Sequence, residues 1–140
     1  MEGSDNIIIK KSTMIRKNDL PIEEVYKISR KTIGTGGFGV VSKCRHRVSK
    51  QDRAVKVISR KKVKNIEQFN AEINILQNLD HPHILKLYEY FEDQKNYYLI
   101  TELCSGGELF DKIIEKEAFT EAEAAHCFKQ ILQGINYCHS

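Results

Sequence analysis

No apolar run in this chain approaches the ~20 residues that a membrane-spanning helix requires. Ile7-Ile8-Ile9 is too short for the core of a secretory signal, and Glu2 stands where N-myristoylation needs glycine. Cys44, Cys104, Cys127 and Cys138 are scattered, with no C-x-x-C pair and no histidine at a zinc-finger spacing. A structural zinc site and a disulfide framework are therefore not expected, and reduced thiols in an intracellular, cytoplasmic protein are. Charge of one sign is also scarce: 22 basic residues against 19 acidic give a net charge of +3, too small an excess to argue for nucleic acid. No internal repeat is present, which sets solenoid architectures aside.

What remains is ordinary globular composition over 140 residues, 41% hydrophobic and 29% charged. Residues 1–24 mix charge with Ser, Asn and Pro21 and show no sustained period, so they are expected to be a flexible lead-in or an arm lying on the body. Lys10-Lys11 and Arg16-Lys17 read as solvated charge or as a contact to an acidic partner. Val25 to Ile33 alternates as a strand and enters Gly34-Thr35-Gly36-Gly37-Phe38-Gly39-Val40-Val41. Three glycines spaced G-x-G-x-x-G let a backbone run close to a polyanion and turn its N–H groups toward phosphate oxygens. The same letters also mark dinucleotide-binding folds, where a helix must follow the glycines. Here Val40-Val41-Ser42-Lys43-Cys44-Arg45 follows, which reads as a strand. A flap over phosphates or a plain hairpin turn fits that pattern.

A turn near Ser49-Lys50-Gln51-Asp52 leads into a third strand, Arg53-Ala54-Val55-Lys56-Val57-Ile58. Side chains alternate along a strand, so Ala54, Lys56 and Ile58 share one face. A lysine on an inward face is costly unless paired, whereas on an exposed edge it needs no partner. Arg60-Lys61-Lys62-Val63-Lys64 is a solvated basic run or, less simply, an import signal. Asn65 with Gln68 has the form of a capping box, and Phe69, Ile73, Leu76 and Leu79 then make a helical stripe. Glu72 is expected beside that stripe, toward the strands, where it would meet Lys56. Two more strands are expected at 87–91 and 97–103, and Thr120 with Glu123 opens a last helix.

Taken together, Gly34, Gly36, Gly39 and Val41, then Ala54-Val55-Lys56-Val57, then Glu72, resemble in order and spacing the N-terminal lobe of a eukaryotic-type protein kinase. The resemblance implies an α+β fold, with a five-stranded antiparallel sheet and one main helix over 25–103. A hinge and the first two helices of a helical C-lobe follow over 104–140. It implies that Lys56 holds the ATP α- and β-phosphates and that Glu72 orients it. The nucleotide-binding set it implies is Ile33, Gly34, Thr35, Gly36, Gly37, Phe38, Gly39, Val41, Ala54, Lys56, Thr101, Glu102, Cys104 and Glu108. Within it, backbone groups of Glu102 and Cys104 would bond the adenine edge and Thr101 would be the gatekeeper. Val41 and Ala54 would lie above the base and Leu109 below it. Glu108 would bind ribose, a basic residue of the substrate, or both.

The wording of 87–93 and 98–111 is similar to calcium-dependent protein kinases of plants and protists, whose kinase domain is followed by EF-hands. Ca²⁺ control would then lie outside these residues, which hold no D-x-[DN]-x-[DN]-G loop. They also hold no His-Arg-Asp catalytic loop and no Asp-Phe-Gly, so the catalytic base and the Mg²⁺ ligands are expected elsewhere and the piece alone is expected to be inactive. ATP, Ser/Thr protein substrates with basic surroundings and the remainder of the kinase domain are the implied partners. Self-association through the apolar side of the 120–138 helix is a further expectation. A pseudokinase scaffold and a calmodulin-dependent kinase without EF-hands stand as alternatives.

Overall fold

The computed structural model describes residues 17–36 and 39–140. A short helix α1 (Ile22–Val25) leads into five strands: β1 (Tyr26–Gly36), β2 (Gly39–His46), β3 (Asp52–Ser59), β4 (Leu87–Glu92) and β5 (Asn96–Thr101). They form one antiparallel sheet in the order β1-β2-β3-β5-β4. A 3-10 turn (Arg60–Lys62) and helix α2 (Ile66–Asn78) lie between β3 and β4. Helices α3 (Leu109–Glu115) and α4 (Glu121–His139) follow the sheet. This is the α+β arrangement expected from the sequence, a five-stranded sheet and then helices.

Alternation along the two central strands divides the apolar residues between two faces. Val55 and Ile100, both fully buried, join Ile22, Tyr26, Cys44 and Phe91 on one face. Ile58, Tyr97 and Leu99 join Leu87 and Ile73 of α2 on the other. Each such aliphatic side chain contributes about 1.5–3 kcal/mol when taken out of water. Ile22 lies within the first cluster, 3% exposed, so part of the lead-in packs on the body. Val25 ends α1 rather than beginning the strand, because the chain must turn after Pro21 to seat Ile22.

The helix starts were legible to different degrees. Thr120 and Glu123 form the full reciprocal box at the start of α4. Asn65 accepts from the Gln68 N–H at 3.1 Å, but the Gln68 amide turns away to Glu72 at 3.3 Å, so half of that box is made. All four cysteines are free thiols, and burial pushes that of Cys44 up to about 11.

Beneath the first face, the Tyr26 hydroxyl donates to Glu89 at 2.6 Å and accepts from Arg53 at 2.8 Å. The Arg53 guanidinium also lies 3.9 Å from the Tyr88 ring centre. Burial first, and the Glu89 carboxylate second, push the Tyr26 phenol well above its ordinary value. Its contribution is thus complete below the unfolded value near 10 and is lost as pH rises past it. Tyr26→Phe should cost about 1–3 kcal/mol near neutral pH. Urea unfolding should show that loss and a flatter alkaline limb; wild-type stability would show that the hydroxyl bridge carries nothing.

Gly39 is confined for a steric reason. A Cβ built on it would lie 2.2 Å from the Val57 carbonyl oxygen of the neighbouring strand. Gly39→Ala must separate β2 from β3 there and should cost about 1–3 kcal/mol, the scale of an overpacked site. Thermal unfolding would read it, with Gly36→Ala, whose Cβ would meet nothing within 4 Å, as the mild control.

Candidate functional site

The glycine segment is the bend between β1 and β2. Gly34 pairs with Val41, Thr35 with Val40 and Gly36 with Gly39, so both arms of the bend are strand. A strand after the glycines removes the dinucleotide-binding alternative, which needs a helix there. Gly37 and Phe38 lie outside the described residues, as do Lys10, Lys11 and Arg16.

Register carries this bend to Lys56. Val41 faces Lys56 across β2 and β3, and Lys56 faces Leu99 across β3 and β5. Ala54, buried, faces Thr101 in the same way. Directly paired residues share a face, so Gly34, Val41, Ala54, Lys56 and Thr101 all lie on the side of the sheet that carries α2. Lys56 is half-buried there, and Ile33 is exposed at the approach to the bend. The alternation reading of Lys56 is therefore met: it stands on the helix side, in the strand beside the hairpin.

The expected meeting of Lys56 with Glu72 does not occur. Among the described residues no carboxylate lies within 4.0 Å of the Lys56 ammonium. Glu72 is exposed and bonds Gln68 on its own helix. Two physical reasons account for this. Helix α2 is seated by Ile73 and Phe69, and Glu72 is rotated about 100° and 60° from them around the helix axis, at the margin of the packed stripe. The helix also packs chiefly against β4, which lies two strand spacings, about 10 Å, from β3.

Beyond β5 the chain leaves the sheet with its backbone partly engaged. Glu102 N–H donates to the Lys86 carbonyl at 3.0 Å, and the Glu102 carbonyl accepts from the Thr101 hydroxyl at 3.2 Å. The Glu102 side chain reaches back to Lys86 N–H at 3.0 Å, which fastens this segment to the start of β4. Cys104 is exposed, and among the described residues no hydrogen bond involves its backbone N–H or carbonyl. Glu108 stands at the N-cap of α3 without a side-chain cap bond, and Leu109 behind it is half exposed. Two concavities, of about 350 and 510 Å³, lie elsewhere, the first near Lys17, Arg60 and Glu92 and the second near His81, His83 and Tyr137. Helix α4 meets the body at that second place: Tyr137 accepts from Asp80 N–H at 3.0 Å and Gly134 packs on the His83 carbonyl.

Sequence reasoning missed the Lys17–Glu92–Arg60 cluster, because no local period links a lead-in lysine to a strand more than seventy residues on. Among the described residues no group of three or more His, Cys, Asp or Glu is placed to hold a metal ion, and no helix is long and apolar enough to cross a membrane.

Comparison with known proteins follows the same lines. The chain is 46% identical over 136 residues to calcium-dependent protein kinase 3 of Plasmodium yoelii yoelii, covering 97% of this chain and 25% of the relative. It is 46% identical over 127 residues to calcium-dependent protein kinase 5 of Plasmodium falciparum, covering 91% and 22%, and 41% identical over 138 residues to calcium-dependent protein kinase 4 of that organism, covering 96% and 26%. The chain spans about a quarter of the length of these curated relatives. With residues 26–140 matching the family's protein kinase domain, the chain belongs to the protein kinase family.

Proposed function

We propose that these residues are the nucleotide-binding part of an ATP-dependent Ser/Thr protein kinase under calcium control. The observation that carries the proposal is the register that sets Lys56 next to the glycine hairpin, on the α2 side, with no carboxylate within 4.0 Å among the described residues. An ammonium so placed, beside a backbone that tolerates no Cβ at Gly39, suits a polyphosphate: the N–H groups of Gly34–Gly39 cradle it and Lys56 neutralises it. The free N–H and carbonyl of Cys104 suit the edge of an adenine, with Val41 and Ala54 above and Leu109 below. Thr101 closes the back, and Glu108 is offered to the ribose or to a basic residue of the substrate. In this reading 25–103 is the N-lobe and 104–140 the hinge and first C-lobe helices.

The chemistry is transfer of the γ-phosphoryl group from ATP to a Ser or Thr hydroxyl, giving ADP and a phosphoester. Mg²⁺, when bound, screens the phosphate charge, and its ligands and the catalytic base are supplied by residues other than these 140. The contribution of Lys56 is positioning and charge stabilisation. Calcium control is inferred from the names of the Plasmodium relatives, and EF-hands outside these residues from the resemblance to calcium-dependent protein kinases.

The open distance between Lys56 and Glu72 favours a second reading, a pseudokinase scaffold that binds nucleotide without turnover. Lys56→Met in the kinase containing these residues separates the two. Under the enzyme reading it lowers kcat at least ~100-fold, a loss of roughly 3 kcal/mol of transition-state stabilisation, with Tm unchanged. Equal phosphotransfer by the wild type and the variant removes Lys56 from the mechanism, and none by either leaves the scaffold.

These 140 residues alone should bind Mg-ATP weakly and transfer nothing. On α4, Phe128, Ile131, Leu132 and Ile135 are each about half exposed or more, an apolar side that favours association. Light scattering of the chain should show mass rising with concentration, and Ile131→Glu with Ile135→Glu should return it to the monomer. A monomer at every concentration refutes association through α4.

A further inference from the structure

We propose that Lys17, through Glu92 and Arg60, is a positioning clamp for helix α2, and so sets how near Glu72 stands to Lys56. The second half of this statement rests on the function proposed above; the first does not.

The lead-in is tied to the outer edge of the sheet at β4. Lys17 pairs in parallel with Tyr90, and Asn18 N–H donates to the Tyr90 carbonyl at 2.9 Å. From this edge the two side chains reach to opposite faces. The Asn18 amide donates to Glu89 at 3.4 Å, the carboxylate that also holds Tyr26. The Lys17 ammonium takes Oε1 of Glu92, on the α2 side. Oε2 of the same carboxylate accepts from Nη2 of Arg60 at 2.8 Å. The Arg60 guanidinium lies 4.7 Å from the Tyr97 ring centre, and Tyr97 meets the Phe69 ring of α2 at 4.6 Å. A contiguous chain of contacts therefore runs from the lead-in to the helix.

The loose link in this chain is an unfilled donor. Arg60 Nε is buried with no hydrogen-bond partner among the described residues. Elsewhere in the same sheet Arg45 shows the complete arrangement: its Nε and Nη2 meet the two oxygens of Asp52 at 2.7 and 3.2 Å. There Lys43 shares one of the Asp52 oxygens at 3.0 Å; Arg60 makes half of such a fork, with Lys17 on the other oxygen of Glu92. When Lys17 withdraws, Glu92 is released from the lead-in, Arg60 closes the side-on fork on it, and its guanidinium leaves the Tyr97 ring. Tyr97 then loses the partner that fixes it against Phe69. Exposed ion pairs are individually weak, so the two arrangements lie close in free energy and a single contact decides between them. Helix α2 is susceptible because Ile73 is its one buried residue among those described.

Hydrogen exchange of this chain tests the clamp. Lys17→Ala should speed exchange of the α2 amides (Ile66–Asn78) roughly three- to fivefold, the scale of one such pair, while β2 and β3 stay at wild-type rates as the control for folding. Lys17→Arg should restore slow exchange. In an Arg60→Met background, which keeps the stem over Tyr97 but cannot form the fork, Lys17→Ala should have no further effect. Unchanged α2 exchange in Lys17→Ala, or the same acceleration with Arg60→Met, overturns the clamp. In the kinase containing these residues Lys17→Ala should lower kcat by a similar factor with KM for ATP nearly unchanged. Faster exchange with unchanged kcat overturns the link to Glu72. Failure of the kinase reading would appear instead as no transfer by the wild type, and the exchange result would stand apart from it.

Discussion

The two-residue period of β3 is the constraint on which the rest of this structure depends. Val55 and Val57 go to one face and Ala54, Lys56 and Ile58 to the other, and β3 has a paired strand on each side. A shift of one residue would send Lys56 among Phe91, Ile100 and Tyr26 and place valines against α2. Such a shift buries an unpaired ammonium and repacks both faces, so the register is strongly fixed. That fixed register also places the glycine bend: β2 is aligned on β3, and the close fit of Gly39 on the Val57 carbonyl fastens the end of the bend nearest to Lys56.

How much of this was legible in the sequence depends on how local each cause is. The face of Lys56 follows from counting along one strand. The strand after Gly39 was readable from β-branched residues, and the α4 start from Thr120 and Glu123, three positions apart. The Lys56–Glu72 meeting was not readable, because it joins two elements whose separation is set by side chains from a third. Phe69 and Ile73 seat α2 on Tyr97, Leu87 and Ile58, toward β4, and no helical pattern contains that offset. The lead-in was legible only as two alternatives, a flexible stretch or an arm on the body, for a related reason. Ile22 sits in a stretch rich in charge and looks unstructured by composition, yet it fills a site in the core opposite Tyr26 and Phe91. A single apolar residue with a long-range partner leaves no period to detect.

The two faces of the sheet are held with very different security. The face bearing Tyr26, Val55, Phe91 and Ile100 is closed by the lead-in helix and by the Tyr26–Glu89–Arg53 bridge, where each polar group meets a partner. Among the described residues the other face is covered by α2 and by Val63 before it, and α2 brings one buried isoleucine and one ring contact. In the function proposed above, a nucleotide enters on that second side and a glutamate must be able to reach the lysine there. Thin cover is what such a site requires, since a helix sealed by many buried side chains could not change its offset at an accessible cost.

From this imbalance it follows where control over α2 can be exerted. Its buried surface is small, so contacts worth a few tenths to one kcal/mol at its rim are comparable with the free energy that decides its position. At the Phe69 end the rim is Tyr97, and Tyr97 is capped by Arg60, which shares Glu92 with Lys17. In the tightly packed face the same contacts would be lost beneath several buried side chains. Placed on the thinly covered side, at the end of a chain of three aromatic and charged neighbours, a surface ion pair gains an influence on the site that its own strength would not predict.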